Sequence, residues 1–311
     1  MSRIHEALKQ AEQERAALAQ PGTAGPMSVL DAATEVAEAP APAREKIREL
    51  HPAAEDFGGV VTPALLEARC RKVRWTPEPK TTLLMSAENH VRGSEELRTL
   101  RSRLYQIRET EPLRTVLVTS ALPADGKTFI SANLGQIIVR QPHRRVLLID
   151  ADLRRSQMHH VLGAPASPGL TDYLQGHKNE FEIIQHGSAD NLYFIPGGTE
   201  APNPAELLAN GRMKVLLERV APAFDWVLVD SPPALPVADA AQLAGMCDGV
   251  LLVVHAGRTP FDLAQRARDE FRDRRILGVV LNRVSPQDAY NSYYYSGYYR
   301  YGYTKNREKE R

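Results

Sequence analysis

Residues 115–131 read TVLVTSALPADGKTFIS, and the fold turns on this stretch. Thr115–Ser120 is a run of β-branched and aliphatic side chains, the composition of a strand. It leads into Ser120-Ala121-Leu122-Pro123-Ala124-Asp125-Gly126-Lys127-Thr128, after which Phe129–Arg140 reads as a helix. Strand, Gly-Lys-Thr loop and helix together make the P-loop frame, with Ala121 where the first glycine usually stands. The residue types follow from the task. Gly126 permits a tight turn whose N–H groups point inward at phosphate oxygens. The helix beyond presents its positive end to the same anion. Lys127 is placed to reach β- and γ-phosphates, and the Thr128 hydroxyl to ligate Mg²⁺. Ala124, Asp125, Gly126, Lys127, Thr128 and Phe129 are therefore expected to cradle a nucleotide. The plainer alternative is an ordinary strand-to-helix turn that happens to contain these residues.

Working outward, five more runs have strand composition: Arg145–Asp150, Leu192–Pro196, Trp226–Asp230, Val250–His255 and Ile276–Asn282. Several are apolar throughout, as expected of parallel strands buried on both faces. Their alternation with helical stretches predicts an α/β fold, a doubly wound and mostly parallel sheet of the P-loop NTPase type. One helix start is plain at Asn203-Pro204-Ala205-Glu206, with a cap residue, a proline and then an acid. Two of the runs end in acids. VLLIDADLRR carries Asp150 and Asp152, and WVLVDSPP carries Asp230. Open α/β sheets bind ligands outside the carboxyl ends of their strands, where these side chains should emerge. A carboxylate directly after four apolar residues needs a cation or a donor, and a metal–nucleotide beside Lys127 would supply one. Each acid alone reads equally as a cap or turn residue. Arg154 and Arg155 read either as partners of phosphate or carboxylate, or as a solvated face.

Composition frames the rest. The 311 residues include 39 basic and 38 acidic side chains, a net charge of +1, which argues against a nucleic-acid partner. Cys70 and Cys247 are too few for a zinc site or an iron–sulfur cluster and point to a reducing compartment. No long apolar run and no secretory pattern is present, so a cytoplasmic chain is expected. Residues 1–18 read as a thin amphipathic helix with Ile4, Leu8, Ala11 and Leu18 on one side; residues 19–63 have Ala/Pro linker chemistry. The resulting division is an extension over 1–79, a nucleotide domain over 80–285 and a tail over 286–311. That tail holds eight of the chain's 11 tyrosines: Tyr290, Tyr293, Tyr294, Tyr295, Tyr298, Tyr299, Tyr301 and Tyr303. Ser292, Ser296, Gly297 and Gly302 between them keep it pliable. A sticky aromatic segment is the competing reading.

Together these motifs resemble the bacterial tyrosine kinases of capsule and exopolysaccharide loci, specifically their cytoplasmic autokinase component. ALPADGKT is similar to that family's relaxed P-loop, VLLIDADLR to its second aspartate motif and VLVDSPP to its Walker B. YNSYYYSGYYRYGY is similar to its autophosphorylation cluster; PGLTDYLQG from Pro168 and PNPAELL from Pro202 agree. The resemblance covers about residues 80–303. It implies ATP and Mg²⁺, with Lys127 and Thr128 on phosphate and metal. Asp152 and Asp230 would hold the metal, directly or through water, and Asp150 would accept the tyrosine proton. Lys127, Asp150 and Asp152 are thus the expected catalytic residues. Glu95, Arg98 and Arg101 share a helix face by spacing and match a motif that builds a ring between subunits; a solvated face is the plainer reading. Asn282 and Arg283 are candidates for adenine contact. The resemblance further implies autophosphorylation between subunits that regulates polymer export. The expected partners are other copies of the chain, an integral-membrane polysaccharide co-polymerase or modulator that recruits it to the membrane, and a cognate tyrosine phosphatase. Two other readings stand beside it. One is a partitioning or septum-positioning switch ATPase, which usually carries a lysine where this chain has Ser120 and Ala121. The other is a nucleotide-binding scaffold.

Overall fold

The computed structural model describes residues 59–77, 93–187 and 191–285. All of them belong to the unit that spans Ala53–Arg311. The first elements are α1 (Pro63–Arg69), β1 (Arg71–Lys72), α2 (Ser94–Thr110), β2 (Thr115–Ser120), α3 (Lys127–Val139) and β3 (Val146–Asp150). Next come α4 (Met158–Leu162), α5 (Leu170–Leu174), α6 (Glu180–Ile183), β4 (Gln185–His186), β5 (Leu192–Ile195), α7 (Pro204–Ala209) and α8 (Arg212–Val220). The last are β6 (Trp226–Asp230), α9 (Asp239–Ala244), β7 (Gly249–His255), α10 (Phe261–Asp269) and β8 (Ile276–Asn282).

The strands form one sheet of order β1-β4-β5-β3-β6-β2-β7-β8, parallel except for the β4–β5 pair. Side chains alternate across it. Leu147 and Ile149 of β3 join one apolar layer, which includes Leu216 and Phe224; Val146 and Leu148 join the other, which includes Leu104 and Ile137. Both faces are therefore covered, which is why β3 and β6 carry no polar residue before their terminal aspartates. The six expected strands all form, within a residue or so of their expected bounds. The α7 helix begins at Pro204 as read, although the Asn203 side chain makes no capping bond.

Two strands, β1 and β4, have only two residues each, too short for any period to show. With β1 comes a segment that the sequence reading placed in the N-terminal extension. Thr62 caps α1 through a bond from the Leu65 N–H, and Pro63 occupies its first turn. Beyond it, Val73 N–H donates to His186 O at 3.0 Å and Thr76 N–H to Gly163 O at 3.0 Å. Trp75 is buried and meets Phe194 edge-on, with centroids 6.1 Å apart. Residues 59–77 thus pack on the sheet, and the sheet unit starts earlier than residue 80. Among the described residues, no helix is long and apolar enough to cross a membrane.

Strand order positions the chemistry. β3, β6 and β2 are consecutive neighbours, with Asp150 opposite Asp230 and Val118 opposite Asp230 in register. The loops leaving these three strands therefore open side by side at one end of the sheet.

Candidate active site

The loop after β2 turns through two left-handed residues, Ala124 (φ 68°) and Gly126 (φ 100°), on either side of Asp125. Gly126 is needed for its φ, which is disfavoured for residues with a side chain; a Cβ there would also push on the Asn282 amide nitrogen, the movable end of a side chain. Asp125 is buried. Its carboxylate accepts from Leu122 N–H at 3.0 Å and from the Thr259 hydroxyl at 2.8 Å, while its carbonyl accepts from Asn282 Nδ2 at 2.8 Å. The 13-residue α3 starts directly at Lys127, so its unpaired N–H groups face the loop's concavity.

Three carboxylates stand beside this loop. Lys127 Nζ pairs with Asp152 Oδ2 at 2.9 Å. The Thr128 hydroxyl donates to Asp230 Oδ2 at 2.6 Å, and the Ser131 hydroxyl approaches Asp230 Oδ1 at 3.3 Å. Asp150 Oδ2 accepts from the Ser156 hydroxyl at 2.7 Å and from the N–H groups of Gln157 and Met158 at 3.0 Å each. Its Oδ1 takes only a longer bond, 3.3 Å, from Asp152 N–H among the described residues. Burial pushes both Asp150 and Asp230 above the usual carboxylate range, against the pull of their donors and Lys127. For Lys127, burial pulls down, but Asp230, Asp152 and Asp150 outweigh it and hold the ammonium above its ordinary value. Arg154 forms a two-point ion pair with buried Asp239, at 2.8 and 3.2 Å, which answers the open reading of that arginine in favour of a carboxylate partner. Arg155 is exposed and contributes its N–H to Asp152 Oδ1 at 3.1 Å.

The structure thus brings together Ala124, Asp125, Gly126, Lys127, Thr128, Asp150, Asp152, Asp230 and Asn282. Phe129 lies one residue beyond, packed against the apolar layer under α2. Arg283 is exposed at φ 57°, with its N–H on Asn282 Oδ1. On α2, Glu95 contacts Arg98, and Arg101 Nη1 donates to Ile137 O at 3.0 Å, so all three members of that triplet already have partners within the chain. The tyrosines from Tyr290 to Tyr303 lie outside the described residues. Three polar residues of the site went unread in the sequence, Ser131, Ser156 and Thr259. Thr259 sits 134 positions from the carboxylate it serves, and nothing local marks it.

A model of the CobQ/CobB/MinD/ParA nucleotide binding domain matches residues 124–296. The tyrosine-protein kinase YwqD of Bacillus subtilis (strain 168) is 32% identical over 227 residues, which cover 72% of this chain and 95% of that protein. The chain belongs to the bacterial tyrosine-protein kinase family. Its kinase sheet is similar to the kinase domain of the Escherichia coli tyrosine kinase ETK, with a TM-score of 0.57 and 34% identity, covering 62% of this chain and 77% of that one. Relatives also include much longer chains. The tyrosine-protein kinase wzc of Salmonella typhimurium is 33% identical over 212 residues, and this kinase spans 29% of its length.

The donor set suits Mg²⁺. Asp152, Asp230 and Thr128 offer hard oxygen atoms beside a phosphate-binding loop, and Mg²⁺ is typically held by one or two carboxylates together with phosphates and waters. Consistent with so small a set, no group of three or more His, Cys, Asp or Glu side chains forms a metal cage among the described residues.

Proposed function

We propose that this chain is an ATP-dependent tyrosine autokinase that transfers the γ-phosphoryl group of ATP to the cluster Tyr290–Tyr303. The observation that carries this reading is the convergence of Lys127, Thr128, Asp150, Asp152 and Asp230 at one end of the sheet, in a chain that also holds this cluster. On this reading Lys127 would turn from Asp152 to the triphosphate, and Asp152, Asp230 and the Thr128 hydroxyl would hold Mg²⁺. When bound, Mg²⁺ supplies charge neutralisation on the phosphate oxygens. The tyrosine oxygen forms its bond to the γ-phosphorus as the bond to the ADP oxygen breaks, and its proton passes to Asp150. The acceptor is Oδ1, the less occupied oxygen, on a carboxyl whose burial favours protonation. A phenol has a pKa near about 10, so positioning and late proton transfer carry the step rather than prior ionisation. Asn282 and Arg283 mark the side where adenine would lie.

Transfer between subunits in a ring built through Glu95, Arg98 and Arg101 is part of the same reading. So are coupling to capsule or exopolysaccharide export, recruitment by an integral-membrane modulator and reversal by a tyrosine phosphatase. Intact mass after incubation with Mg–ATP tests the core claim. The expected result is a ladder of phosphate-sized increments in the tail, absent from a Lys127→Met variant. Turnover of ATP without any ladder would point to a switch ATPase instead.

A further inference from the structure

Ala124 holds φ 68° without being glycine, a left-handed conformation that an L-residue adopts only at a cost. Something must hold the loop in it. The residue next along, Asp125, is fastened from three directions: from Leu122 within the loop, from Thr259 after β7 and from Asn282 at the end of β8. Asn282 was already expected at the nucleotide. Thr259 was not, and its one hydrogen is committed. The hydroxyl accepts from His255 N–H at 3.3 Å and gives that hydrogen to Asp125 Oδ1. A charge-assisted bond to a buried carboxylate is among the stronger neutral-donor contacts, and losing it leaves that carboxylate oxygen without this donor.

We infer that Thr259 is a positioning residue for the nucleotide. Acting through Asp125, it holds the phosphate loop in the conformation that presents its N–H groups, so that nucleotide binding does not have to order the loop first. Preorganisation of this kind appears as affinity. The inference rests on the nucleotide-binding part of the proposed function and deepens it, because it ties the loop after β7 to phosphate recognition.

Calorimetric titration with Mg–ADP tests it without relying on kinase activity, alongside thermal melts of each variant without nucleotide. Thr259→Val keeps the shape and removes the hydroxyl; it should weaken binding about tenfold. Thr259→Ser restores the donor and should bind within about twofold of the unmodified chain. Asp125→Ala removes the acceptor and leaves no buried charge, so it remains informative if Thr259→Val fails to fold. It should weaken binding by itself, and adding Thr259→Val to it should weaken binding no further, since the two act through one bond. A Thr259→Val chain that binds Mg–ADP as the unmodified chain does overturns the inference, whatever its melting temperature. So does a Thr259→Ser chain that binds no better than Thr259→Val, or a double variant whose losses multiply. An unmodified chain that binds no Mg–ADP overturns the nucleotide reading itself.

Discussion

Asp150 and Asp230 face each other across neighbouring strands, both without solvent exposure, and burial raises both. The consequence for stability has a definite sign. An unfolded carboxyl loses its proton near about pH 4, whereas these folded ones keep theirs to higher pH. Their contribution therefore favours the folded state at low pH and is lost as pH climbs from that range through the raised folded values. Asp230→Asn removes one of the two charges while leaving an acceptor for Thr128. Without nucleotide, this variant should melt above the unmodified chain near about pH 8, with the gap closing toward about pH 5. A gap that is constant across the range would mean that Asp230 does not titrate there. Cys70 gives a second prediction at this scale. Burial pushes its thiol up to about 12, so at about pH 8 roughly one thiol in ten thousand is ionised. Native protein should leave Cys70 unlabelled by an alkylating reagent that modifies it rapidly in denaturant. Residues differ in how legible they are. The three aspartates show in the sequence because each closes or follows an apolar run, and Lys127 because its neighbours spell the loop. Thr259 and Ser156 do not, since a lone hydroxyl in a loop acquires meaning only when the fold carries a distant carboxylate to it.

The least legible elements are α1 and β1. One has seven residues with only Leu66 buried, the other has two residues, and neither is long enough for an apolar period to stand out. The central strands are legible for the opposite reason, being covered on both faces and so apolar at every position before the terminal acid. Yet the short segment is firmly built in. Gly163 has φ 61°, and a Cβ there would sit 2.1 Å from the Thr76 carbonyl carbon; a Cβ on Gly187 would sit 2.3 Å from the Trp75 ring. Both glycines thus leave the space that lets residues 75–77 lie directly against the chain. Trp75→Ala should cost about 3–5 kcal/mol, the usual range for emptying a large aromatic site. Truncation gives the same answer at the scale of the element. A chain that begins at Lys80 should melt well below one that begins at Gly59, by denaturant titration followed through tryptophan-independent circular dichroism. Equal midpoints would show that residues 59–77 add nothing to the sheet.

For the whole molecule the decisive quantity is charge. The chain carries a net +1, so an unphosphorylated subunit offers little long-range repulsion to its copies. Phosphorylating all eight cluster tyrosines would add roughly −12 to −16 charges at neutral pH, confined to one short stretch. Under the proposed mechanism, each tail is modified at a neighbour's site, so the product accumulates where subunits meet. On α2, Glu95 already offsets the charge of Arg98, while Arg101 keeps its charge on the neutral Ile137 carbonyl, a small counterweight to so many new negative charges. Phosphorylation should therefore dissolve the assembly that produced it. Light scattering should give a multiple of 34.5 kDa for the Lys127→Met variant and about the single-chain mass for protein phosphorylated to completion. Because the repulsion acts through solvent, its reach falls from roughly 30 Å at 0.01 M salt to about 3 Å at 1 M, and the phosphorylated form should reassociate as salt rises. Equal masses for the two forms at low salt would remove charge as the switch. A phosphorylated form that stays single at high salt would shift the cause from repulsion to loss of the tail as a tether between active sites.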